Sequence, residues 1–242
     1  MNLYFAPRRS GSSRRIFPWV TAVLTLLLSS CDKPATSPGV TRAETIPQVE
    51  DVRPNAEQGD TDAQTALGKI LLEGRGARPD YTEAARWFRQ AAEKGSAEAQ
   101  FYLASLYEAG RGVARDDAEA VRWNTKAAES GHGEAQYALA LLHATGRGTT
   151  KDKPASVKWF RAAAEQGLTE AQFNLAQRYQ HGQGVETNLP EAYKWFALAA
   201  KQGMPDAVKE CRQMKPELSP AQIAEAEKFA ASFVAKRATP QP

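Results

Sequence analysis

At 242 residues, 42% of them hydrophobic, the chain is long and apolar enough to bury an ordinary core. Its formal charge of +3 is local, because Arg8, Arg9, Arg14 and Arg15 stand in the first thirty residues with no acid among them. Without these four the balance is 27 basic to 28 acidic residues, which removes any general electrostatic case for nucleic acid.

The basic leader precedes an apolar run, Val20 to Leu28, that ends at Leu28-Ser29-Ser30-Cys31. Even counted from Ile16 the run is 13 residues, whereas a helix crossing a bilayer takes about 20, so residues 1–30 read as a secretory signal. Leu-Ser-Ser-Cys resembles the lipobox of bacterial lipoproteins. That resemblance implies acylation of Cys31, cleavage just before it, and a mature protein that begins there; an ordinary cleaved signal with a chance Cys is the other reading. Two or more acyl chains anchor stably where one does not, so the expectation is a protein held on a membrane of the cell envelope and facing the periplasm. Ser13-Arg14-Arg15-Ile16-Phe17 resembles the twin-arginine export motif, although Pro18 and Trp19 follow where that motif carries Leu and Lys. Asp32 resembles the inner-membrane retention signal of enterobacterial lipoproteins, and Lys33 beside it weakens that signal, so inner and outer membrane both stay open. From 31 to 55, Pro34, Pro38, Pro47 and Pro54 lie among Thr, Ser, Gly and charged residues without apolar periodicity. This predicts a flexible tether of roughly 25–30 Å root-mean-square span.

A 36-residue step then governs the chain. Gln64, Gln100, Gln136 and Gln172 keep it, as do Trp87, Trp123, Trp159 and Trp195, and Gly76, Gly112, Gly148 and Gly184. A period between 20 and 50 residues signals a solenoid, here with repeats at 60–95, 96–131, 132–167 and 168–203. In the first half of each unit, residues such as Ala99, Leu103, Leu106 and Tyr107 form one apolar helical face. Paired glycines end that helix. Asp80, Asp116, Asp152 and Asn188 are N-cap types for a second helix, and Glu83, Glu119 and Glu191 three residues later complete expected capping boxes, with Ala155 breaking the pattern. The second helix carries the Trp, an aromatic in three units (Phe88, Phe160, Phe196, but Asn124), and an Ala-Ala pair before Gly95, Gly131, Gly167 and Gly203. Residues 204–237 predict two capping helices: a fifth first-helix stopped by Lys215-Pro216, then a helix with Ser219 as N-cap and Ile223, Ala226, Phe229, Ala230 and Phe233 on one face. Cys211 reads as a buried lone thiol, with a mixed disulfide as the alternative.

A-x-A-Q-x-x-L-[GA] with Tyr107 and Tyr179, then G-x-G, then A-x-x-W-x-x-x-A-A-x-x-G, resembles the Sel-1-like repeat, a relative of the tetratricopeptide repeat. The resemblance covers Asp60 to Gly203. It implies an all-α fold, an α/α solenoid of antiparallel helix pairs in a right-handed superhelix, and a role as scaffold or adaptor.

Chemistry finds little purchase. His132, His143 and His181 are the chain's three histidines and none pairs at i, i+4, so no metal site is expected. His143 holds a slot that is Tyr in two other units and reads as packing, while His181 reads as solvated. The acids are explained by caps and by i, i+3 partners such as Glu83–Arg86 and Glu119–Arg122. No nucleophile–base motif appears, and no catalytic residue or cofactor is expected. Three Gly-Arg-Gly tripeptides all fall at the helix turn, which argues against a phosphate loop or an RGG tract.

What remains is surface. Phe101, Tyr137 and Phe173 share one position, with Thr65 in the first unit, and Lys69, Ser105, Leu141 and Gln177 lie four residues on. In tetratricopeptide-like stacks this position faces the concave groove. An aromatic ladder beside variable polar residues suits a peptide or an oligosaccharide; packing between units is the competing reading. Arg75, Arg111 and Arg147 form a loop-edge register, either a contact for a polyanion or an ordinary solvated edge, and Arg86, Arg122, Lys158 and Lys194 line the second helices as salt-bridged outer surface. The expected function is a non-enzymatic, lipid-anchored adaptor that binds an envelope protein through the concave face. Direct binding of peptidoglycan or exopolysaccharide is the alternative.

Overall fold

Each unit folds into two helices of 13 residues, and a side chain caps the start of every one of them except the helix that follows Leu168. In the second unit, Ser96 Oγ accepts from Ala99 N (3.2 Å) to open the first helix, and Gly110 closes it in the left-handed region with φ 64°. Asp116 Oδ1 then accepts from Ala118 N and Glu119 N (2.9 and 3.0 Å) to open the second. The structure, a computed structural model, describes residues 49–74 and 78–236. The signal at 1–30, Cys31, most of the expected tether, and Arg75 lie outside the described residues.

The first helices are α2 (Thr61–Glu73), α4 (Ala97–Ala109), α6 (Gly133–Thr145) and α8 (Thr169–His181). The second helices are α3 (Tyr81–Glu93), α5 (Asp117–Glu129), α7 (Lys153–Glu165) and α9 (Leu189–Lys201). Each packs on its neighbours in chain order, so the described residues form the all-α solenoid with no strand among them. No helix among them is long and apolar enough to cross a membrane.

Three devices hold the stack. Tryptophans reach back a unit: Trp123 is 3% exposed and shares a buried cluster with Ala91 and Ala92 of the preceding pair, and Trp159 packs against Ala127 and Ala128. The repeated glutamine is buried, and its amide donates to a carbonyl of the preceding second helix. The pairs are Gln100 to Ala92 O (3.1 Å), Gln136 to Ala128 O (3.1 Å) and Gln172 to Ala164 O (3.2 Å). In the last three loops the second glycine (Gly112, Gly148 and Gly184) presses on the next-earlier helix start. A Cβ on Gly112 would stand 2.0 Å from Tyr81 O, and one on Gly148 2.0 Å from Asp117 O.

The expected capping boxes at Glu83, Glu119 and Glu191 form only by half. The cap side chains accept from the glutamate amides (2.9, 3.0 and 3.0 Å), but the carboxylates turn to the tryptophan one turn on. Trp87, Trp123 and Trp195 Nε1 donate to them at 3.3, 3.2 and 2.9 Å. A buried indole N–H has nowhere else to go, whereas the cap's own amide reaches other acceptors: Asp116 N, for example, donates to Tyr107 O at 3.1 Å.

The tether ends earlier than expected. Val49–Glu57 is a helix, α1, packed on α2. It occupies the place of a second helix: Gln64 Nε2 donates to Ala56 O (3.0 Å), and Asp60 N to Asn55 O (3.1 Å) as Ser96 N does to Ala91 O (3.1 Å). Gly59, with φ 92°, repeats Gly95 at 96°. Pro54 is the sixth residue of α1, so the helix forgoes the one amide bond that would run to Glu50 O.

At the other end α10 (Pro205–Met214) packs on α9 as a fifth first-helix, burying Ala207, Cys211 and Met214. Burial pushes the Cys211 thiol up to about 11. After a short 3-10 turn, α11 (Pro220–Ser232) starts from a complete Ser219–Gln222 capping box. It packs on α9 rather than pairing with α10, with Phe229 edge-on to Trp195 at 5.6 Å. Beyond it, Lys236 N donates to Glu165 O (2.8 Å) at the end of α7.

Candidate interaction surface

Positions 62, 65 and 69 of the first unit and their 36-residue equivalents fall at i, i+3 and i+7, so they share one face of each first helix. Side chains touch from unit to unit along this face. Thr65 Oγ1 lies 3.1 Å from Ser96 Oγ, Lys69 Nζ pairs with Glu98 at 2.6 Å, the Phe101 ring stacks on His132 with centroids 4.9 Å apart, and Asn174 Nδ2 donates to the Tyr137 hydroxyl at 3.3 Å. The face is therefore continuous across all four repeats.

The ladder residues are not fully free on it. Phe101, Tyr137 and Phe173 are each half-buried. Tyr137 meets Phe160 of its own unit at 5.7 Å and Phe173 meets Phe196 at 5.2 Å, so part of each ring belongs to the core and part to the surface. Burial pushes the Tyr137 hydroxyl up to about 12, so it faces any ligand as a neutral phenol. Of the flanking positions, Ser105 is exposed and its hydroxyl bonds back to Phe101 O (3.0 Å); Lys69, Leu141 and Gln177 are half-buried, with Leu141 packed against the core.

His132 holds two jobs on this face. Its Nδ1 accepts from Ala135 N (3.3 Å) as the N-cap of α6, and its ring lies on Phe101. Burial lowers its pKa against the pull of Glu134 and Glu98. The folded chain therefore favours the neutral ring, whose unprotonated Nδ1 the cap needs. Stability from this group is present above the ordinary histidine value and is lost as pH falls through it. Between pH 7.5 and 5.5 the urea midpoint of the wild type should drop more than that of His132→Asn, which caps without titrating; equal drops would remove His132 as the cause.

The loop-edge register divides. Arg111 is exposed and sits 5.3 Å from the Tyr81 ring. Arg147 is not a free edge cation: it bonds the Glu108 carboxylate of the preceding unit and lies 3.4 Å from Asp117. Glu108 also accepts from Asn124 Nδ2 at 3.2 Å, and burial raises its pKa in spite of Arg147. This polar cluster escapes inspection of any one register. On the second helices, Arg86, Arg122 and Lys194 pair with Glu83, Glu119 and Glu191 as expected (3.7, 2.7 and 3.3 Å), and Lys158 lies over Trp159. His143 is half-buried and His181 exposed, and no group of three His, Cys, Asp or Glu among the described residues is placed to hold a metal.

The Sel1 repeat matches the chain four times, at residues 61–96, 97–132, 133–168 and 169–204, one residue later than the boundaries read from the period. A Sel1 repeat protein from Oxalobacter formigenes is similar at 30% identity and TM-score 0.63, over 73% of this chain and 75% of that one. The protein c5321, a protective antigen present in uropathogenic Escherichia coli strains and displaying an SLR fold, is similar at 30% identity and TM-score 0.50, over 78% of this chain and 49% of that one. No curated protein matches. With a repeat that recurs in phase from α2 to the start of α10, and solved relatives built the same way, the chain belongs to the Sel1 repeat family, whose solenoids commonly serve as protein–protein interaction scaffolds.

Proposed function

We propose that this chain is a non-enzymatic adaptor, lipid-anchored through Cys31 and facing the periplasm, that holds an envelope protein on the face formed by its first helices. The observation that carries this reading is the continuity of that face: contacts pass from unit to unit, and each of the last three repeats presents a half-exposed aromatic at the same position. Such rings supply contact area at little entropic cost, the property that enriches aromatics in interface cores.

The test replaces Phe101, Tyr137 and Phe173 together by Ser. Pull-down from envelope extract should recover a partner with the wild type and lose it with the variant, while far-UV circular dichroism keeps its helical signal. Retention of the same partner would place binding elsewhere. Binding of purified protein to peptidoglycan or exopolysaccharide on a glycan array, with no protein captured, would favour the glycan reading over the adaptor. Palmitate labelling lost in Cys31→Ala checks the anchor separately.

A further inference from the structure

Three of the four units fill one buried position on the second helix with Phe. Phe88 stacks on Tyr102 (5.0 Å), Phe160 meets Tyr137 (5.7 Å) and Phe196 meets Phe173 (5.2 Å), all with no exposure. The first contact joins α3 to α4 of the next unit, and the other two join the helices of one unit. The second unit has Asn124 there, 1% exposed, and its Oδ1 accepts no hydrogen bond. In place of a ring contact, its amide reaches Glu108, and Glu108 is bridged to Arg147 in the loop of the third unit.

Two more losses fall in the third unit. Ser156 stands where the other units have Ala84, Ala120 and Ala192, and its buried hydroxyl is unbonded. Trp159 is half-buried, with Ala155 where the other tryptophans find a carboxylate. The buried apolar cluster that joins α5 to α6 is reduced to Ala127, Ala128, Ala135 and Leu139, whereas from Val157 to Ala230 the core runs unbroken.

We infer that the solenoid is jointed between its second and third repeats, and that α5 and α6 part there before any other interior pair of units. At the other interior junctions, opening breaks a buried cluster that holds a wholly buried phenyl ring, Phe88 with Ala99 and Leu103 or Phe160 with Ala171 and Leu175, which is unfavourable in proportion to the apolar area exposed. At this one the buried residues are three alanines and Leu139, with Phe101 and Trp159 only half-buried against them and Asn124 in place of the wholly buried ring, so less apolar area reaches water. Local opening of this kind governs amide exchange. Phe101 lies on one side of the joint and Tyr137 and Phe173 on the other, so bending there changes the spacing of the first-helix face.

Hydrogen–deuterium exchange on the full chain tests the joint. Amides in the C-terminal half of α5 and in α6 should exchange roughly tenfold faster, or more, than those of α3, α4, α8 and α9. The double variant Asn124→Phe/Glu108→Ala copies the third unit's own Phe160 and Ala144 and should slow α5 and α6 to the level of α8 and α9. Uniform protection across the interior of the wild type would overturn the joint, and so would a folded double variant that keeps the contrast. Should the double variant fail to fold, the wild-type profile decides alone.

Discussion

Trp123→Ala is expected to lower stability by roughly 3–5 kcal/mol, the range for removing a large aromatic from a core that cannot collapse behind it. The side chain is 3% exposed and shares its cluster with Ala91, Ala92 and Leu103, all of them at or below 2% exposure. Alanine neighbours have no rotamers with which to fill the space. The lost indole bond to Glu119 adds little, because that carboxylate keeps Arg122 (2.7 Å) and water. The cations at 4.3 and 4.6 Å, Arg122 and Lys126, add ~0.5–1 kcal/mol each at this exposed rim. Packing therefore decides the outcome. Because each unit touches only its neighbours, the loss should spread to the units on either side, and the melting temperature should fall by roughly 10 °C. Trp159→Ala should be milder, since Trp159 is half-buried and lacks the glutamate. An unchanged melting temperature in Trp123→Ala, or a larger drop in Trp159→Ala, would mean that the wedges do not carry the stack.

The solenoid was legible because its landmarks recur in phase, and a phase survives the loss of any one landmark. The helix that escaped, α1, shows the limit. It keeps Ala56 and Gly59 of the Ala-Ala-x-x-Gly ending but has Asn55 for the first Ala and Asp51 where a unit would carry Trp. Pro54 and the prolines before it made the segment read as tether. The signal was nevertheless present, since Gly59 stands 36 residues before Gly95 and is followed by the same Ala-Gln pair. The candidate surface was legible in position but not in exposure. Residue type placed Phe101, Tyr137 and Phe173 in one row; only packing reveals how much of each ring the second helices claim. The Glu108–Asn124–Arg147 cluster was invisible for another reason. Its members are 16 and 39 positions apart, and each looks like tolerated variation within its own register until the fold brings them together.

Gly148→Ala should destabilise by roughly 2–4 kcal/mol, far more than an exposed loop substitution does. Two effects combine. At φ 68° the left-handed backbone disfavours any Cβ by roughly 1–2 kcal/mol. The added carbon would also lie 2.0 Å from Asp117 O and 2.4 Å from its carbonyl carbon, both backbone atoms that no rotamer change can move. The first turn of α5 would have to shift. That shift strains the Asp116 cap on Ala118 and Glu119, a bond type worth about 1 kcal/mol, and pulls Asp117 from Arg147. Gly146→Ala separates the two effects within the same loop. Its φ is 75°, but its Cβ would stand no closer than 3.1 Å to Lys151 Cβ, 3.2 Å to that residue's amide nitrogen and 3.4 Å to its Cα, against 2.0 Å at Gly148, so it should lose much less beyond the backbone term. Denaturant midpoints of the two variants measure the difference directly. If Gly146→Ala proves as damaging as Gly148→Ala, the repeated second glycine serves turn geometry alone, and the close approach of each loop to the preceding unit is not what holds successive repeats in register.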